Sequence, residues 1–550
     1  MEALSFANIH HWLVSWSSSM PTQSLTIIIP VIMTVFGLFL APFILRNSRK
    51  ESNKVSDEEP SIIQNNSKNV VIKNKQLRIV HIPHELGENV PLIVFIHGLG
   101  GQAAQWEYQL EYFSSTANVL AIDLIGCGKS EVSNRREDYN TESLVNYLEE
   151  LLKSFSSKNI VLICHSYGCC VGAFLYQRIK SSVKAMTFIS VKAKRTESEM
   201  TKQKIIMFLP DFLFDLLRVL DRRGGIYSDS VNRFLHKDAN DLLRTKQLKW
   251  NKQSKTFVWK NMVEGAKWIT KENISTIDCP LLLLSGREDK ISSQGDMVIV
   301  HEWCKSPNTP APCLIPQAGH NPIQENPDLV NLIINDFLIK ECGLETMDPA
   351  WQILNKTKGE NKWSMKNYQK WKRAPIISAR PVNCTKFRPM KVMRQNDDEH
   401  CPEKFIAQHP EIGFIIDITK DQPPYRSGDF ENSHINYIKL STISKIPPSR
   451  CEVKKFAQVA NDAWNKKPNK QIAVHCHYGF NRTGFMICCY MIEELHISVA
   501  DAIHYFEEAR SPNGIKHRHF KEELFLRYEP PPRLDSYQEI HSENSSGSDC

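Results

Sequence analysis

The segment around Cys476 has the residue types and the spacing needed for phosphate chemistry. It reads VHCHYGFNRTG from Val474 to Gly484, so that an arginine follows the cysteine after five intervening residues. A loop of this length turns successive backbone N–H groups inward, and a following helix adds its positive N-terminal end. Arg482 would bind two phosphate oxygens and hold Cys476 as the attacking thiolate. We therefore predict Cys476 and Arg482 as catalytic residues that act through a phosphocysteine.

The other residues of this loop are predicted to bind phosphate. The two glycines would allow close approach and sharp turns, and the threonine hydroxyl would hydrogen-bond the thiolate. These predicted phosphate-binding residues are His477, Tyr478, Gly479, Phe480, Asn481, Thr483 and Gly484.

A second constellation, Ser166, Asp289 and His320, has the order of a serine hydrolase triad. VLICHSYG is an apolar run that ends in a tight turn with Ser166 at its apex, and LLLLSGRED and IPQAGH place an acid and a histidine after later apolar runs. Asp289 would fix the tautomer of His320, which would accept the serine proton. The backbone N–H groups of Leu99 and Tyr167 are the predicted oxyanion hole.

The surrounding pattern predicts the elements that position this triad. Short apolar runs alternate with helical stretches between residues 75 and 340, which favours an α/β fold with a parallel sheet covered on both faces. The rhythm stops at about residues 196–275, where an amphipathic stretch predicts a helical cap. The predicted strands are LRIVHI, PLIVFIHG, NVLAIDL, NIVLICHS, VKAMTFISV, PLLLLSG and APCLIP.

The rest of the chain divides into a second α/β domain and connecting segments. The domain is predicted over residues 363–533, with strands IGFIIDI, INYIKL and QIAVHC and a helix after Thr483. Residues 46–74 and 341–362 read as linkers, and residues 534–550 as a disordered tail. Fifteen scattered cysteines without paired zinc spacing suit a reducing compartment.

One segment near the start is predicted to cross a membrane. Leu25–Leu45 contains no charged residue, and basic residues follow it. About 20 apolar residues span a bilayer, and the positive-inside rule places the basic side in the cytosol. Residues 1–24 would then lie outside as a short N-terminal segment. We expect a single-pass anchor with both catalytic domains facing the cytosol, and a nuclear location of the C-terminal activity stays open.

Residues 75–340 resemble the α/β-hydrolase family. The motifs HGLGG, DLIGCGKS, HSYG, SGREDKI and AGH occur in the expected order, and Cys164 stands where the family has the first glycine of Gly-x-Ser-x-Gly. The resemblance implies a serine hydrolase that acts on esters. The cap and the neighbouring anchor favour a hydrophobic ester or lipid, although packing on the core also explains the cap.

The C-terminal domain resembles the cysteine-dependent RNA 5′-triphosphatase of mRNA-capping enzymes, within the protein-tyrosine phosphatase fold. HCHYGFNRTG, KWKRAPIISARPVNCTKFRPMKV, GFIIDIT and EARSPNGIKHRHFKEELFLRY carry the resemblance. It implies hydrolysis of the γ-phosphate of 5′-triphosphate RNA without a metal or cofactor, a phosphate contact for Arg510, and an orienting role for Asp417. The stretch STISKIPP lacks the acid of protein phosphatases, which a diphosphate leaving group does not need.

Residues 361–394 support an RNA partner independently. They contain ten Lys or Arg, no Asp or Glu, and interleaved aromatics, a pattern that can follow a phosphate backbone and stack bases. The net charge of +7 is modest for 550 residues, so a solvated basic face explains the pattern equally well. The alternatives to a bifunctional enzyme are a dual-specificity protein phosphatase joined to a non-catalytic hydrolase scaffold, or two proteins fused in one sequence. The oligomeric state is not predicted.

Overall fold

A computed structural model describes residues 59–155, 157–306, 309–348, 351–352, 365–420 and 422–530. The chain divides into two compact units, the first ending at Met347 and the second beginning at Asp348. This division falls inside the stretch that the sequence analysis reads as the second linker.

The first unit is built on a sheet of eight strands among the described residues, in the order β1-β2-β4-β3-β5-β6-β7-β8. Neighbouring strands from β4 to β8 are parallel, as the buried apolar runs predict. The strands are β1 (Ser67–Ile72), β2 (Lys75–Ile82), β3 (Leu92–Ile96), β4 (Asn118–Ile122), β5 (Ile160–His165), β6 (Val183–Ile189), β7 (Leu281–Gly286) and β8 (Cys313–Ile315).

The sheet begins with an antiparallel hairpin that the sequence analysis missed. β1 pairs with β2, and β2 pairs with β4, both antiparallel. Lys73 and Asn74 join the two strands with φ of 47° and 62°, and two consecutive residues of positive φ make the turn whose twist matches a hairpin. The prediction of a linker over residues 46–74 is therefore corrected: residues 61–72 form a helix and a strand of the first unit.

Helices cover both faces of this sheet, and apolar clusters fill the space between. The cap is inserted between β6 and β7 and consists of α5 to α10. The helices are α1 (Ser61–Asn66), α2 (Glu107–Phe113), α3 (Thr141–Leu152), α4 (Tyr167–Ile179), α5 (Glu197–Phe208), α6 (Asp211–Asp221), α7 (Asp229–Asn232), α8 (Asp241–Gln253), α9 (Thr256–Glu264), α10 (Lys271–Ile274), α11 (Gln294–Trp303), α12 (Pro322–Glu325) and α13 (Pro327–Asp336).

The first unit extends beyond the predicted limit at residue 340. Met347 is fully buried in one of the sheet clusters, and Cys342 and Leu344 pack against it. The prediction of a linker over residues 341–362 is therefore corrected at its start. Its first residues carry apolar side chains that are buried in the core of the first unit.

The second unit contains a four-stranded sheet in the order β11-β10-β12-β9, and its neighbouring strands are parallel. The strands are β9 (Phe387–Met390), β10 (Ile412–Asp417), β11 (Asn436–Lys439) and β12 (Gln471–His475). The helices are α14 (Met365–Arg373), α15 (Pro402–Gln408), α16 (Arg450–Lys466), α17 (Asn481–Leu495), α18 (Val499–Ala509) and α19 (Arg518–Tyr528).

No helix within the described ranges is long and apolar enough to cross a bilayer. The predicted anchor Leu25–Leu45 lies outside those ranges, as do residues 1–24 and the predicted tail 534–550.

Candidate active sites

Ser166 occupies a strained turn between β5 and α4. Its φ of 54° and ψ of −123° are sparsely populated for a residue with a side chain. The turn is held by the Ser166 N–H, which donates to the Ile189 carbonyl at 2.8 Å. Position 168 requires glycine, because a Cβ there would come within 2.4 Å of the Ile96 carbonyl oxygen. The helix therefore packs directly on β3 and leaves the serine at the apex of the turn.

Cys164 departs from the family pattern, and Gly172 of α4 makes room for its side chain. A Cβ on Gly172 would lie 2.4 Å from the Cys164 Sγ. The sulfur thus fills the space that the absent side chain leaves, and Cys164 is fully buried. The turn before Ser166 keeps its shape because α4, rather than the turn, makes room for the larger residue.

The structure brings the three predicted triad residues together. His320 Nε2 lies 3.0 Å from the Ser166 Oγ, and His320 Nδ1 lies 2.9 Å from an Asp289 oxygen. The amides of Ile291 and Ser292 donate to Asp289 at 2.8 and 2.9 Å. Burial alone would raise the pKa of Asp289, but His320 and these amides hold it below its usual value. An ionised Asp289 can then orient the imidazole as a base toward the serine.

The predicted oxyanion loop lies directly against the nucleophile. A Cβ on Gly98 would come within 2.8 Å of the Ser166 Cβ and 3.3 Å of its Oγ. Leu99 follows Gly98, and Tyr167 follows Ser166, so both predicted amides belong to the segments that meet at the hydroxyl. This proximity is what stabilisation of a tetrahedral oxyanion requires.

Two residues that the sequence analysis did not select position the loop that carries His320. His165 Nε2 donates to the His320 carbonyl at 2.7 Å, and burial lowers the pKa of His165 to about 3, so it stays neutral. Glu325 accepts hydrogen bonds from the Gly319 amide at 2.8 Å and from the His236 amide in the cap. Their sequence signals were a histidine directly before Ser166 and an acid five residues after His320.

Cys476 begins the loop between β12 and α17 and is 5% exposed. Burial by itself would raise the pKa of its thiol, but the Arg482 guanidinium and the backbone amides of Thr483 and Gly479 hold it below its usual value. Gly479 has a φ of 71°, and a Cβ there would lie 2.1 Å from the Met390 carbonyl oxygen. The loop is therefore built for a thiolate and packs tightly on β9.

Arg482 lies next to Cys476 in the first turn of α17, and its orientation is fixed by the backbone. Its Nη1 donates to the carbonyls of Ile418 and Thr442 at 3.1 and 3.0 Å. These carbonyls come from the segments that follow β10 and β11. The second unit thus positions the guanidinium before any substrate binds, which lowers the cost of ordering it.

Arg510 and Asn481 support the loop from outside. Arg510 Nε donates to the Gly479 carbonyl at 3.2 Å, and its Nη2 donates to the Tyr478 carbonyl at 2.9 Å. The Asn481 carboxamide oxygen accepts from the amides of Lys516 and His517 at 2.7 and 2.9 Å. Both were predicted to bind phosphate, and that role stays a prediction. The structure adds that these polar atoms orient the loop through contacts with backbone.

Two aromatic rings of the loop and an aromatic ring and two cations beside it form one group. Tyr478 stacks on Phe480 with 6.1 Å between ring centroids, and Lys370 lies 5.3 Å from the Tyr478 ring. Arg394 lies 5.1 Å from the ring of Tyr368. We call these five residues the aromatic–cation rim. Arg394 and Lys370 of this rim also affect a loop residue. Together with burial and Arg482, they lower the pKa of His477 to about 4.

Asp417 lies behind the loop at the centre of a buried polar network. It is fully buried and accepts from the Tyr437 hydroxyl at 2.7 Å and from Lys439 Nζ at 2.8 Å. Burial would raise its pKa, but His475, Lys439 and the hydroxyl donors hold it below its usual value. His475, directly before Cys476, also contacts the Tyr425 hydroxyl at 2.7 Å. The orienting role of Asp417 stays a prediction. The structure adds its hydrogen-bond partners, Tyr437 and Lys439, which the sequence did not indicate.

Comparisons with known proteins match a known family to each of the two units. The family model described as the alpha/beta hydrolase fold matches residues 91–327. The model described as the catalytic domain of dual specificity phosphatases matches residues 396–529. An abhydrolase domain-containing protein of Schizosaccharomyces pombe is 29% identical over 275 residues, which cover 48% of this chain and 74% of that protein.

Two relatives match the second unit. An mRNA-capping enzyme of Danio rerio is 34% identical over 173 residues, which cover 29% of this chain and only 28% of the enzyme. A tyrosine-protein phosphatase of the Autographa californica nuclear polyhedrosis virus is 30% identical over 144 residues, which cover 26% of this chain and 85% of the viral protein.

Proposed function

Since the chain belongs to the dual-specificity phosphatase family through its C-terminal domain and carries an α/β-hydrolase domain before it, we propose that it combines two hydrolytic activities. The C-terminal domain removes the γ-phosphate from 5′-triphosphate RNA. The N-terminal domain cleaves a hydrophobic ester. The single observation that carries the RNA substrate is the aromatic–cation rim around the Cys476 loop.

The phosphatase reaction follows from the loop. The Cys476 thiolate attacks the γ-phosphorus, and the bond from that phosphorus to the oxygen bridging to the β-phosphate breaks. Diphosphate-ended RNA leaves with the bonding electron pair, and water then hydrolyses the phosphocysteine to inorganic phosphate. Residues 440–449 contain no Asp or Glu to serve as a general acid. A diphosphate is a weak base and leaves without one.

The rim favours a nucleic-acid substrate over a phosphorylated side chain. A triphosphate end brings two further phosphates and a base to the mouth of the loop. Lys370 and Arg394 supply positive charge there, and Tyr368 and Tyr478 supply flat rings on which a base can stack. The similarity to an mRNA-capping enzyme supports this proposal, whereas the similarity to a viral tyrosine-protein phosphatase favours phosphotyrosine.

The test is phosphate release by the full chain from γ-labelled 5′-triphosphate RNA with a chelator present. A phosphotyrosine peptide is the competing substrate, Cys476→Ser is the inactive variant, and Ser166→Ala is the matched control. We expect release from RNA that depends on Cys476, is unchanged by Ser166→Ala, and is at least tenfold faster than from the peptide. Faster cleavage of the peptide would establish a protein phosphatase instead.

The hydrolase reaction uses Ser166 as nucleophile, His320 as base and Asp289 as orienting acid. The serine oxygen attacks the ester carbonyl while His320 takes its proton, and His320 then protonates the departing alcohol. Water then attacks the acyl group on Ser166 in the same way, with His320 again as base, and releases the carboxylic acid. The amides of Leu99 and Tyr167 stabilise the oxyanion. The triad distances support this mechanism.

The esterase proposal is tested with nitrophenyl esters of increasing chain length. The full chain and Cys476→Ser should hydrolyse them equally, and Ser166→Ala should lower the rate at least a thousandfold. Equal rates for Ser166→Ala and the unsubstituted chain would leave the first unit as a non-catalytic scaffold. One band of 63.3 kDa detected by antibodies to both units would eliminate the fusion of two separate proteins.

Membrane attachment forms part of the proposal and rests on sequence alone. Leu25–Leu45 would anchor the chain with both domains in the cytosol, where RNA is available. The relation to a capping enzyme supports a nuclear location of the second activity.

A further inference from the structure

The first two cap helices leave large apolar side chains in solvent. α5 ends at Phe208, which is 91% exposed, and α6 contains Phe212, which is 68% exposed. Ile205 is 54% exposed. We call these three residues the hairpin tip. Exposed apolar side chains grouped in this way mark interaction surfaces.

The hairpin tip is held firmly on the cap. Lys260 of α9 pairs with Asp211 at 2.8 Å and also donates to the Leu209 carbonyl, so that it fixes the two-residue connection between the helices. Arg218 of α6 donates to the Thr256 hydroxyl at 2.9 Å. The exposed phenylalanines therefore belong to an ordered hairpin, and the acid beside Phe212 has its charge neutralised.

The charge around the hairpin tip favours an anionic surface. Lys202 and Lys204 are exposed on the helix that leads to the tip, and their positive charges favour an anionic partner. The cap over residues 196–275 contains 15 Lys and Arg against 10 Asp and Glu, a net charge of +5. Apolar side chains with basic neighbours are the combination that binds anionic lipid headgroups together with the acyl region beneath them.

The same chain supplies a reason for a bilayer to be near. The uncharged run Leu25–Leu45, outside the described residues, is separated from Glu59 by thirteen residues. Thirteen residues reach at most about 45 Å. We propose that the hairpin tip inserts into the headgroup region of an anionic lipid bilayer and docks the hydrolase cap on the membrane.

The cap connects the docked hairpin to the serine site. The Phe214 ring of α6 lies 5.4 Å from the Trp259 ring of α9. Trp259 in turn lies against Gly100, where a Cβ would come within 3.9 Å of its Cδ1. Gly100 belongs to the loop of Leu99. Docking thus brings the serine site close to esters in a membrane; this consequence rests on the proposed esterase activity, whereas the docking itself does not.

The experiment places the photocrosslinker p-benzoylphenylalanine at residue 212 of the full chain. The chain also carries Ser166→Ala, so that the result does not depend on ester cleavage. It is reconstituted in vesicles of phosphatidylcholine and phosphatidylserine, irradiated and digested. Mass spectrometry then measures the mass of the peptide that contains residue 212. The matched control carries the crosslinker at Val71 of β1, which is 72% exposed and lies outside the cap.

We expect a phospholipid adduct at residue 212, in a yield at least tenfold above that at residue 71. The same crosslinker at residue 208 should give the same adduct, which guards against a local effect at one position. Adducts at residues 212 and 208 with another part of this chain or with a second copy would overturn the proposal, as would equal lipid yields at residues 212 and 71.

Discussion

At the scale of single residues, each nucleophile depends on the groups that surround it. Cys476 is buried, which disfavours a thiolate, yet its pKa is held below the usual value by Arg482 and by hydrogen bonds within the loop. Ser166 depends on backbone strain and on a base 3.0 Å away. A change in a neighbour should therefore alter either nucleophile without touching it.

Arg482→Met removes the positive charge next to Cys476, so the pKa of the thiol should rise by about one to three units. Because iodoacetamide reacts with thiolates, its rate of modification of Cys476 should show a midpoint shifted upward in pH. The rate is measured by mass spectrometry of the peptide that contains Cys476. The control is Arg518→Met, which removes an exposed arginine paired with Glu522. An unchanged midpoint in Arg482→Met would contradict the role of the guanidinium.

Gly172→Ala should destabilise the first unit by about 1–3 kcal/mol, because the new methyl group overlaps the Cys164 Sγ. Cys164→Ala removes the sulfur, so the double variant should recover most of the loss. Urea denaturation of the full chain, followed by limited proteolysis of the first unit, measures the free energies of unfolding. Additive losses in the double variant would disprove the contact.

The motif residues could be predicted from sequence because their chemistry dictates their spacing. Ser166, Asp289 and His320 meet as expected, and so do Cys476 and Arg482. The contact between Cys164 and Gly172 could not be predicted, since a glycine in a helix gives no sign of which strand it faces. Arg510 was assigned to phosphate by resemblance, but only coordinates reveal that it donates to backbone carbonyls.

At the scale of elements, short polar contacts attach the loops that carry the sites. Glu325 at the end of α12 joins the His320 loop to the cap through the amides of Gly319 and His236. β9 escaped prediction because it contains Pro389, which is tolerated there as β9 lies at the edge of its sheet. β1 escaped because none of its residues is buried, so it lacks the continuous apolar run of its neighbours.

Glu325 should make the stability of the first unit depend on pH. Burial raises its pKa from 4.5 to about 7, so the folded unit keeps a proton that the unfolded chain has released. This contribution to stability is complete below about pH 4.5 and is lost as the pH rises through 7, by about 3 kcal/mol in total. Denaturation midpoints of the full chain between pH 5 and 8 measure it.

Glu325→Gln should flatten this part of the pH profile, because it has no titrating group. The matched control is Glu264→Gln, an exposed acid on the cap helix α9. A profile equally steep in Glu325→Gln and in the unsubstituted chain would show that the pH dependence arises elsewhere.

At the scale of the whole molecule, two units of different fold share one construction. In each, the nucleophile is the residue directly after a parallel strand, and the connection that it begins leads into a helix, as in β5–α4 and β12–α17. The turn of each is fixed by its own unit. The division into units near residue 347 was predictable from composition, whereas the hairpin at the start of the first unit was not.

The predicted topology can be read from a single asparagine. Asn65 begins the acceptor sequence Asn-Asn-Ser and is exposed on α1. It should remain unglycosylated if Leu25–Leu45 anchors the chain with its C-terminal side in the cytosol, as an unchanged mobility after endoglycosidase treatment would show. Replacing Arg46, Arg49, Lys50 and Lys54 with serine and adding lysines before residue 25 should reverse the orientation and produce a shift. A shift in the unsubstituted chain would mean the opposite topology.

The thiolate of Cys476 also gives the two units unequal chemistry toward oxidants. Peroxide converts a thiolate to a sulfenic acid, which thiols reverse, whereas a serine hydroxyl resists it. A brief oxidative pulse should therefore silence phosphate release while ester cleavage continues, and a reductant should restore the first activity. One polypeptide would then report the redox state of its surroundings as the ratio of its two activities.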